Sequence, residues 1–566
     1  MSGADMVVKG LEDLDVDVVF GLPGGMVIPL YDKLISANFC HVLVRHEQAA
    51  AHAADAYARA SGKVGVCIAT SGPGATNLVT GIATAYLDSV PILAIAGQVS
   101  TAVAGTDAFQ EADTLGITLP VVKHSFQVRS AAELGPALRG SFHIAATGRP
   151  GPVVIDLPVD VQREVGIYNL PDQVRFPGYN PESALDLSDL DASVEAILKA
   201  RHPLILAGGG LVGGGAEEAL RTLAETFSIP VVNTLMGKGA FSDDHPLALG
   251  MAGMHGTPAA NRALCETDLV IALGSRFSDR TTGRRDRFAP DARVIHLDRD
   301  RAERNKNVTS DLFLLGDAAP LLYRIIEACG GPGASVPAHR KPWLERVARW
   351  REEFPGPDHA DGEKITPRRA IEAAREAAFA ACGDMATVTT EVGQNQMWSA
   401  LYWRAVQPRT FITSGGLGTM GFGLPAAMGA AFARSGQPVF NISGDGSFLM
   451  NAAELDTCAR YNLPVKVVLL DNSCLGMVRQ WQELFYNRRY SHTLYSRQPD
   501  FCGLAESLGA AAIRVTKASE LRPAMDRAVE TPGPVLIHVP IDTEEKVFPM
   551  VPPGAGIDEM ILEAPN

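Results

Sequence analysis

The chain reads as an α/β protein built from three doubly wound parallel-sheet domains. Short apolar runs of strand length alternate with helical patterns through nearly all of its 566 residues, the alternation that gives βαβ units. Several runs end in glycine-rich turns into helices: Gly21-Leu22-Pro23-Gly24-Gly25, Thr70-Ser71-Gly72-Pro73-Gly74, Gly208-Gly209-Gly210 and Gly444-Asp445-Gly446. Hydrophobic residues make up 46% and charged residues 20%, so large cores can form and the length suits three or four domains.

Residues 1–165 form the first unit. An amphipathic helix at 4–14 leads to a strand at 16–20, and a short strand at 41–44 ends at Arg45-His46-Glu47. An alanine-rich helix at 49–60 follows, then strands at 64–69, 91–96 and 152–157. Glu47 falls in a first helical turn, where an acid complements the macrodipole; a carboxylate gripping a ligand nitrogen in an apolar niche is the other reading. Residues 166–190, rich in Pro, Asn and Asp, read as a linker.

Residues 191–330 form the second unit, with strands at 203–207, 229–232, 269–273 and 294–297. Gly208 to Gly213 satisfies Gly-x-Gly-x-x-Gly, a weak nucleotide signal by itself. The next strand runs into Asn233 rather than an acid, which disfavours a standard NAD site. A nucleotide-binding domain and a structural spacer both fit. Residues 331–365 read as a linker with a charged helix at 343–353 and a polar stretch at 355–364. Residues 366–545 form the third unit, and 546–566 a tail without periodicity.

The third unit holds the strongest motif. A strand at 438–443 enters Gly444-Asp445-Gly446; residues 447–461 have helical periodicity, with Phe448, Leu449, Ala452 and Leu455 on one side. A second strand at 465–470 delivers Asp471-Asn472. Asp445 and Asn472 thus stand at carboxyl ends of strands in one βαβ unit, where open sheets bind ligands. A carboxylate, an amide oxygen and a nearby carbonyl suit Mg²⁺ shared with a diphosphate. The N–H groups of Gly446 and Ser447 offer a phosphate seat. Each piece alone is a turn; together, with 24 residues between Gly446 and Asp471, they match the thiamine-diphosphate signature, with Asp471 where the first of two Asn residues is usual.

A net charge of −14 argues against a nucleic-acid or acidic-membrane partner. Eight cysteines without a Cys-x-x-Cys pair read as reduced thiols of a cytoplasmic protein. The N-terminus has no signal-peptide pattern, and no apolar run is long enough to span a membrane.

From end to end the chain resembles the catalytic large subunits of acetohydroxyacid synthase (acetolactate synthase), most closely the isozyme II type. The strongest stretches are Arg45-His46-Glu47-Gln48, Thr70 to Asn77, Gly105 to Glu111, Gly253-Met254-His255-Gly256-Thr257, Gly416 to Ala427 and Leu470 to Gln482. The resemblance implies the thiamine-diphosphate-enzyme fold: pyrimidine-binding, central FAD-binding and diphosphate-binding domains of similar topology. It implies a site shared between the first domain of one subunit and the third of another, in a homodimer or dimer of dimers, and a small regulatory subunit.

The implied reaction decarboxylates pyruvate on thiamine diphosphate and ligates the hydroxyethyl group to a second pyruvate or to 2-oxobutyrate, toward valine, leucine and isoleucine. Glu47 resembles the pyrimidine-activating carboxylate, and Met420 the residue that bends the cofactor, with Gly418 beside it. Asp445, Asn472 and the Cys474 carbonyl match the Mg²⁺ ligands. Val392, Gly393, Gln394, Gly446 and Ser447 match the diphosphate side. Arg280 matches the cation for the acceptor carboxylate, and Trp481 the residue that favours 2-oxobutyrate. Phe109, Gln110 and Met254 match the lining of that same pocket. Arg149, Gly208, Gly209, Gly210, Met254, His255, Gly274, Arg276 and Asp298 match sites for a structural FAD. Asn395, Ser278 and Val159 depart from the family, replacing His, Asp and Lys. A flavin-free acetolactate synthase or 2-oxo acid decarboxylase is the alternative within the class; a non-catalytic nucleotide-binding subunit is the alternative outside it.

Overall fold

The computed structural model describes every residue except 182–184, 334–336, 354–363 and 564–566. The polar stretch expected at 355–364 lies outside the described residues but for Lys364.

Three six-stranded sheets, parallel throughout, form the three domains. The first comprises β1 (Val18–Gly21), β2 (Cys40–Leu43), β3 (Gly65–Ala69), β4 (Ile92–Gln98), β5 (His124–Gln127) and β6 (Val153–Pro158), in the order β2-β1-β3-β4-β6-β5. The second comprises β7 (Pro203–Ala207), β8 (Val231–Asn233), β9 (Ala248–Met251), β10 (Leu269–Leu273), β11 (Arg293–Asp298) and β12 (Leu312–Leu315), in the order β12-β11-β10-β7-β8-β9. The third comprises β13 (Thr387–Thr390), β14 (Phe411–Ile412), β15 (Val439–Gly444), β16 (Val465–Asp471), β17 (Ala511–Arg514) and β18 (Val535–Pro540), in the order β14-β13-β15-β16-β18-β17. The first and third sheets therefore share one topology. The middle sheet shares their layers and parallel sense but has the strand order of dinucleotide-binding folds.

Alanine density in the helix Glu47–Ser61 has a packing cause. It lies against the helix Gly423–Ala433, and a single buried cluster joins Ala50, Ala53 and Ala54 to Leu424, Ala427 and Ala430. The backbones approach so closely that a Cβ at Gly429 would lie 2.0 Å from the Ala53 carbonyl oxygen. Small residues permit this approach, and the first and third domains bury one continuous core.

The stretch 331–365 is more than a linker. Its helix Lys341–Glu353 buries Trp343, Val347 and Trp350 on the middle domain, where Trp343 Nε1 donates to the Pro203 carbonyl at 3.1 Å. Arg340, fully buried, donates to the carbonyls of Phe227 (2.7 Å), Ala200 (3.3 Å) and Ile197. The tail also docks there: Val551 N–H donates to the Met254 carbonyl at 2.7 Å. The single helix expected over 447–461 is instead two, Asp445–Phe448 and Glu454–Arg460. Asn451 lies between them and donates its side-chain amide to the Gly421 carbonyl at 2.6 Å. Leu449, expected on the buried side, is 42% exposed. Among the described residues no helix is long and apolar enough to cross a membrane.

Candidate active site

The register of β15 on β16 pairs Gly444 with Leu470, which brings Asp445 and Asn472 to the same sheet edge. They line one small cavity of about 70 Å³ with Gly446, Ser447, Cys474, Val392, Gly393, Gln394, Asn395 and Met420. Asp445 is 2% exposed. Burial, and then the negative Asp471 beside it, push its carboxyl up to about 7. Gly446 N–H donates to Asp445 at 3.0 Å, and Gln498 Nε2 donates to both Asp445 and Asp471. Burial also works to raise Asp471, but a 2.9 Å bond to His538 and the Ser473 N–H hold it below the usual carboxylate range. Asp445 has no such histidine partner. A buried carboxylate without a counter-charge, next to an Asn amide, fits a hard cation with oxygen ligands. The Asn395 Oδ1 is buried here without a partner.

Glu391 braces this cavity from behind, and no sequence signal marked it. Its wholly buried carboxylate accepts from Gly421 N–H (2.9 Å), Leu424 N–H (3.2 Å) and Ser447 Oγ (2.7 Å). Burial raises its pKa despite these bonds. The Ser447 hydroxyl is thus spent on Glu391, which leaves its backbone to face the cavity.

A second cavity, of about 1020 Å³, adjoins the first and shares Val392, Gly393 and Met477 with it. Arg149, Gly209, Gly210, Met254, His255, Gly274, Arg276, Asp298, Arg280, Gly418 and Trp481 line it. Gly208 is not in the lining; a Cβ there would lie 2.2 Å from the Gly274 carbonyl oxygen, so it serves backbone packing. Arg276 donates to the Leu87 carbonyl, and Arg149 pairs with Glu303 at 2.6 Å and Asp300 at 3.2 Å. His255 is buried, which lowers its pKa to about 4; its Nδ1 donates to the Pro549 carbonyl at 3.0 Å. The volume and the mixture of glycine backbone with cationic side chains fit a dinucleotide. The Arg280 guanidinium sits 5.7 Å from the centre of the Trp481 ring and 3.4 Å from the Met254 sulfur. Its ion pair with Asp279 is long, 3.9 Å, and exposed, which leaves the guanidinium available to a ligand.

Glu47, Phe109 and Gln110 line neither cavity. Glu47 is 7% exposed, opens the helix Glu47–Ser61, and accepts from Asn77 Nδ2 at 3.0 Å. Its neighbours Arg45 and His46 donate their N–H groups to Glu454, at 2.9 and 3.1 Å. Phe109 is 81% exposed. Gln110 has φ of 59°, and its carbonyl oxygen lies 2.9 Å from where a Gly72 Cβ would be. Within one chain, then, Phe109 and Gln110 do not share the Arg280–Trp481 pocket as expected, and Glu47 does not share the Asp445–Asn472 cavity. Of the departures, Val159 is buried and Ser278 begins the short helix Asp279–Thr282.

Comparison with known proteins follows the same division of the chain. Residues 1–117 match the thiamine pyrophosphate enzyme N-terminal TPP binding domain, 190–325 the thiamine pyrophosphate enzyme central domain, and 391–539 the C-terminal TPP binding domain. The chain is 47% identical to a probable acetolactate synthase large subunit of Methanocaldococcus jannaschii, over 99% of this chain and 95% of that protein. It is 47% identical to the acetolactate synthase large subunit of Corynebacterium glutamicum, over 98% and 89%. It is 46% identical to the acetolactate synthase isozyme 2 large subunit of Escherichia coli, over 99% of each.

Proposed function

This chain belongs to the acetolactate synthase large subunits, thiamine-diphosphate enzymes, and from that premise we propose which residues perform each task. The enzyme decarboxylates pyruvate and joins the two-carbon remainder to a second 2-oxo acid. Pyruvate as acceptor gives 2-acetolactate, and 2-oxobutyrate gives 2-aceto-2-hydroxybutyrate, for branched-chain amino-acid biosynthesis. Bound thiamine diphosphate supplies the nucleophilic carbon and the electron sink for this chemistry.

Asp445, Asn472 and the Cys474 carbonyl hold Mg²⁺. Gly393, Gln394, Gly446 and the Ser447 backbone receive the diphosphate, and Gly418 and Met420 flank the cofactor's other end. Glu47 holds the pyrimidine by a hydrogen bond to a ring nitrogen. Because Glu47 lines neither cavity of its own chain, it serves the site of a second copy, and Phe109 and Gln110 travel with it. The smallest active unit is therefore a homodimer. Arg280 grips the acceptor carboxylate by a charge-assisted fork, and Trp481 forms the wall that rewards an extra methyl group. The large cavity takes FAD as a structural group against Arg149, Gly209, Gly210, His255, Gly274, Arg276 and Asp298. The "large subunit" in the relatives' names supports a small regulatory partner, and the free cysteines support a cytoplasmic setting.

The observation that carries this reading is the buried, uncompensated Asp445 beside Asn472, in a cavity that opens onto Arg280 and Trp481. Purified protein should form acetolactate from pyruvate with thiamine diphosphate and Mg²⁺, lose this with EDTA, and carry a yellow chromophore. Glu47→Gln should lose most activity while keeping its fold. Acetaldehyde as the main product, or full activity in Glu47→Gln, would overturn the assignment.

A further inference from the structure

We propose that Gln480 is a positioning residue that fixes which way round the Asn472 amide points, acting through Gln394. This rests on the reading of Asp445 and Asn472 as metal ligands. An Asn side chain presents an oxygen and an NH₂ group of nearly equal shape, and a cation accepts only the oxygen. Some other group must therefore decide its orientation.

Gln480 is 1% exposed on the helix Gly476–Phe485. Its Oε1 accepts the Val547 N–H at 2.9 Å, and its Nε2 donates to the Val547 carbonyl at 3.0 Å. A peptide group cannot exchange donor and acceptor, so Val547 dictates which end of Gln480 is oxygen. That oxygen also accepts Gln394 Nε2 at 3.0 Å, and the same nitrogen donates to the Glu545 carbonyl at 3.0 Å. Gln394 must place its nitrogen there, which turns its own oxygen toward Asn472. Gln394 Oε1 accepts Asn472 Nδ2 at 3.0 Å, and Asn472 Oδ1 accepts the Cys474 N–H at 3.3 Å. Asn472 keeps one oxygen lone pair for a ligand.

Reversing any amide in the series would set oxygen against oxygen in a buried site, at the cost of unpaired polar groups. Gly476 makes the series sterically possible: a Cβ there would lie 1.9 Å from Gln394 Oε1 and 2.6 Å from Asn472 Nδ2. Glu545 and Val547, at the junction of the third unit and the C-terminal tail, thus set the orientation of a ligand, Val547 from the far side of two side chains.

The test measures thiamine-diphosphate binding by tryptophan fluorescence while Mg²⁺ is titrated into the full-length protein; Trp398 and Trp481 line the cavities. Gln480→Met should raise the half-saturating Mg²⁺ about tenfold or more, as loss of a ligand's support does. Gly476→Ala, which leaves the Val547 contacts in place, should do the same. Gln394→Leu removes the link through which Gln480 acts, so adding Gln480→Met in that background should change the Mg²⁺ requirement by less than about twofold. An equal shift in both backgrounds, or a lowered Tm with no shift in either, overturns the orienting role. If the native protein binds the cofactor without any need for Mg²⁺, the metal-ligand reading fails and this inference falls with it; a Mg²⁺ requirement that Gln480→Met leaves unmoved sinks the inference alone.

Discussion

Arg280 and Asp156 show two ways a single residue acts in this protein. Arg280 stands over Trp481 with only a long, exposed ion pair to Asp279, so its charge is uncommitted. Arg280→Gln should lower kcat/KM for the acceptor about 10- to 100-fold, the worth of a charged hydrogen bond, and leave carbon dioxide release from the first pyruvate less affected. Steady-state kinetics with 2-oxobutyrate varied at fixed pyruvate measures this. Asp156 lies within β6, 2% exposed, and accepts from Gln98 Nε2 at 3.2 Å. Burial raises its carboxyl from 3.8 to about 6, with Gln127 and Gln98 opposing and Asp113 reinforcing the shift. A raised folded-state pKa binds protons more tightly than the unfolded chain does. Its contribution to stability is therefore complete below pH 3.8 and is lost as pH rises through about 6. Asp156→Asn removes the charge that must be buried at neutral pH. Melting curves should show the variant gaining on the native protein between about pH 4 and 6 and keeping that advantage above pH 6, on the order of 3 kcal/mol at most, with no gain below pH 4.

At the scale of elements, the turn that carries Gly418 and Met420 is held by the first domain. Asp88, at the end of the helix Pro73–Asp88, accepts from Gly415 N–H (3.1 Å) and Gly416 N–H (2.7 Å). Its partner Arg59 bonds Asp88 at 3.0 Å, Asp55 at 2.5 Å and the Thr413 carbonyl at 2.9 Å. The Asp88 side chain is wholly buried and that of Arg59 is 10% exposed. Asp88→Ala leaves the guanidinium with one carboxylate and frees two turn amides. It should cost about 3–5 kcal/mol of stability, read by denaturant unfolding, and weaken cofactor binding because the turn loses its anchor. Long apolar runs such as 64–69, 203–207 and 465–470 announced their strands in the sequence, because strands buried on both faces read as continuous hydrophobic stretches. The edge strands β5 and β14 did not: β5 is only partly buried and β14 has two residues, so neither leaves an apolar run to read.

For the whole molecule, the decisive distribution is that Glu47 and the Asp445–Asn472 pair occupy separate places in one chain. Mixing Glu47→Gln with Asn472→Ala subunits, each inactive alone, should restore about a quarter of native activity. Half of randomly assembled C2 dimers would be mixed, and each of those would hold one intact site of two. Activity measured before and after subunit exchange decides this; no recovery despite demonstrated mixing would place Glu47 and the Asp445–Asn472 pair in one chain's site.

Local pattern was enough to reveal three α/β units, the Gly-Asp-Gly turn and the Asp-Asn pair, because each is a property of neighbours along the chain. Assembly decided the rest. Asp471 finds His538, Glu391 finds Gly421 and Ser447, and Gln394 finds Gln480 only once β16, β18 and the tail have taken their places. Such partners are joined by single hydrogen bonds across long stretches of chain, and a bond of that kind imposes no period on the residues between.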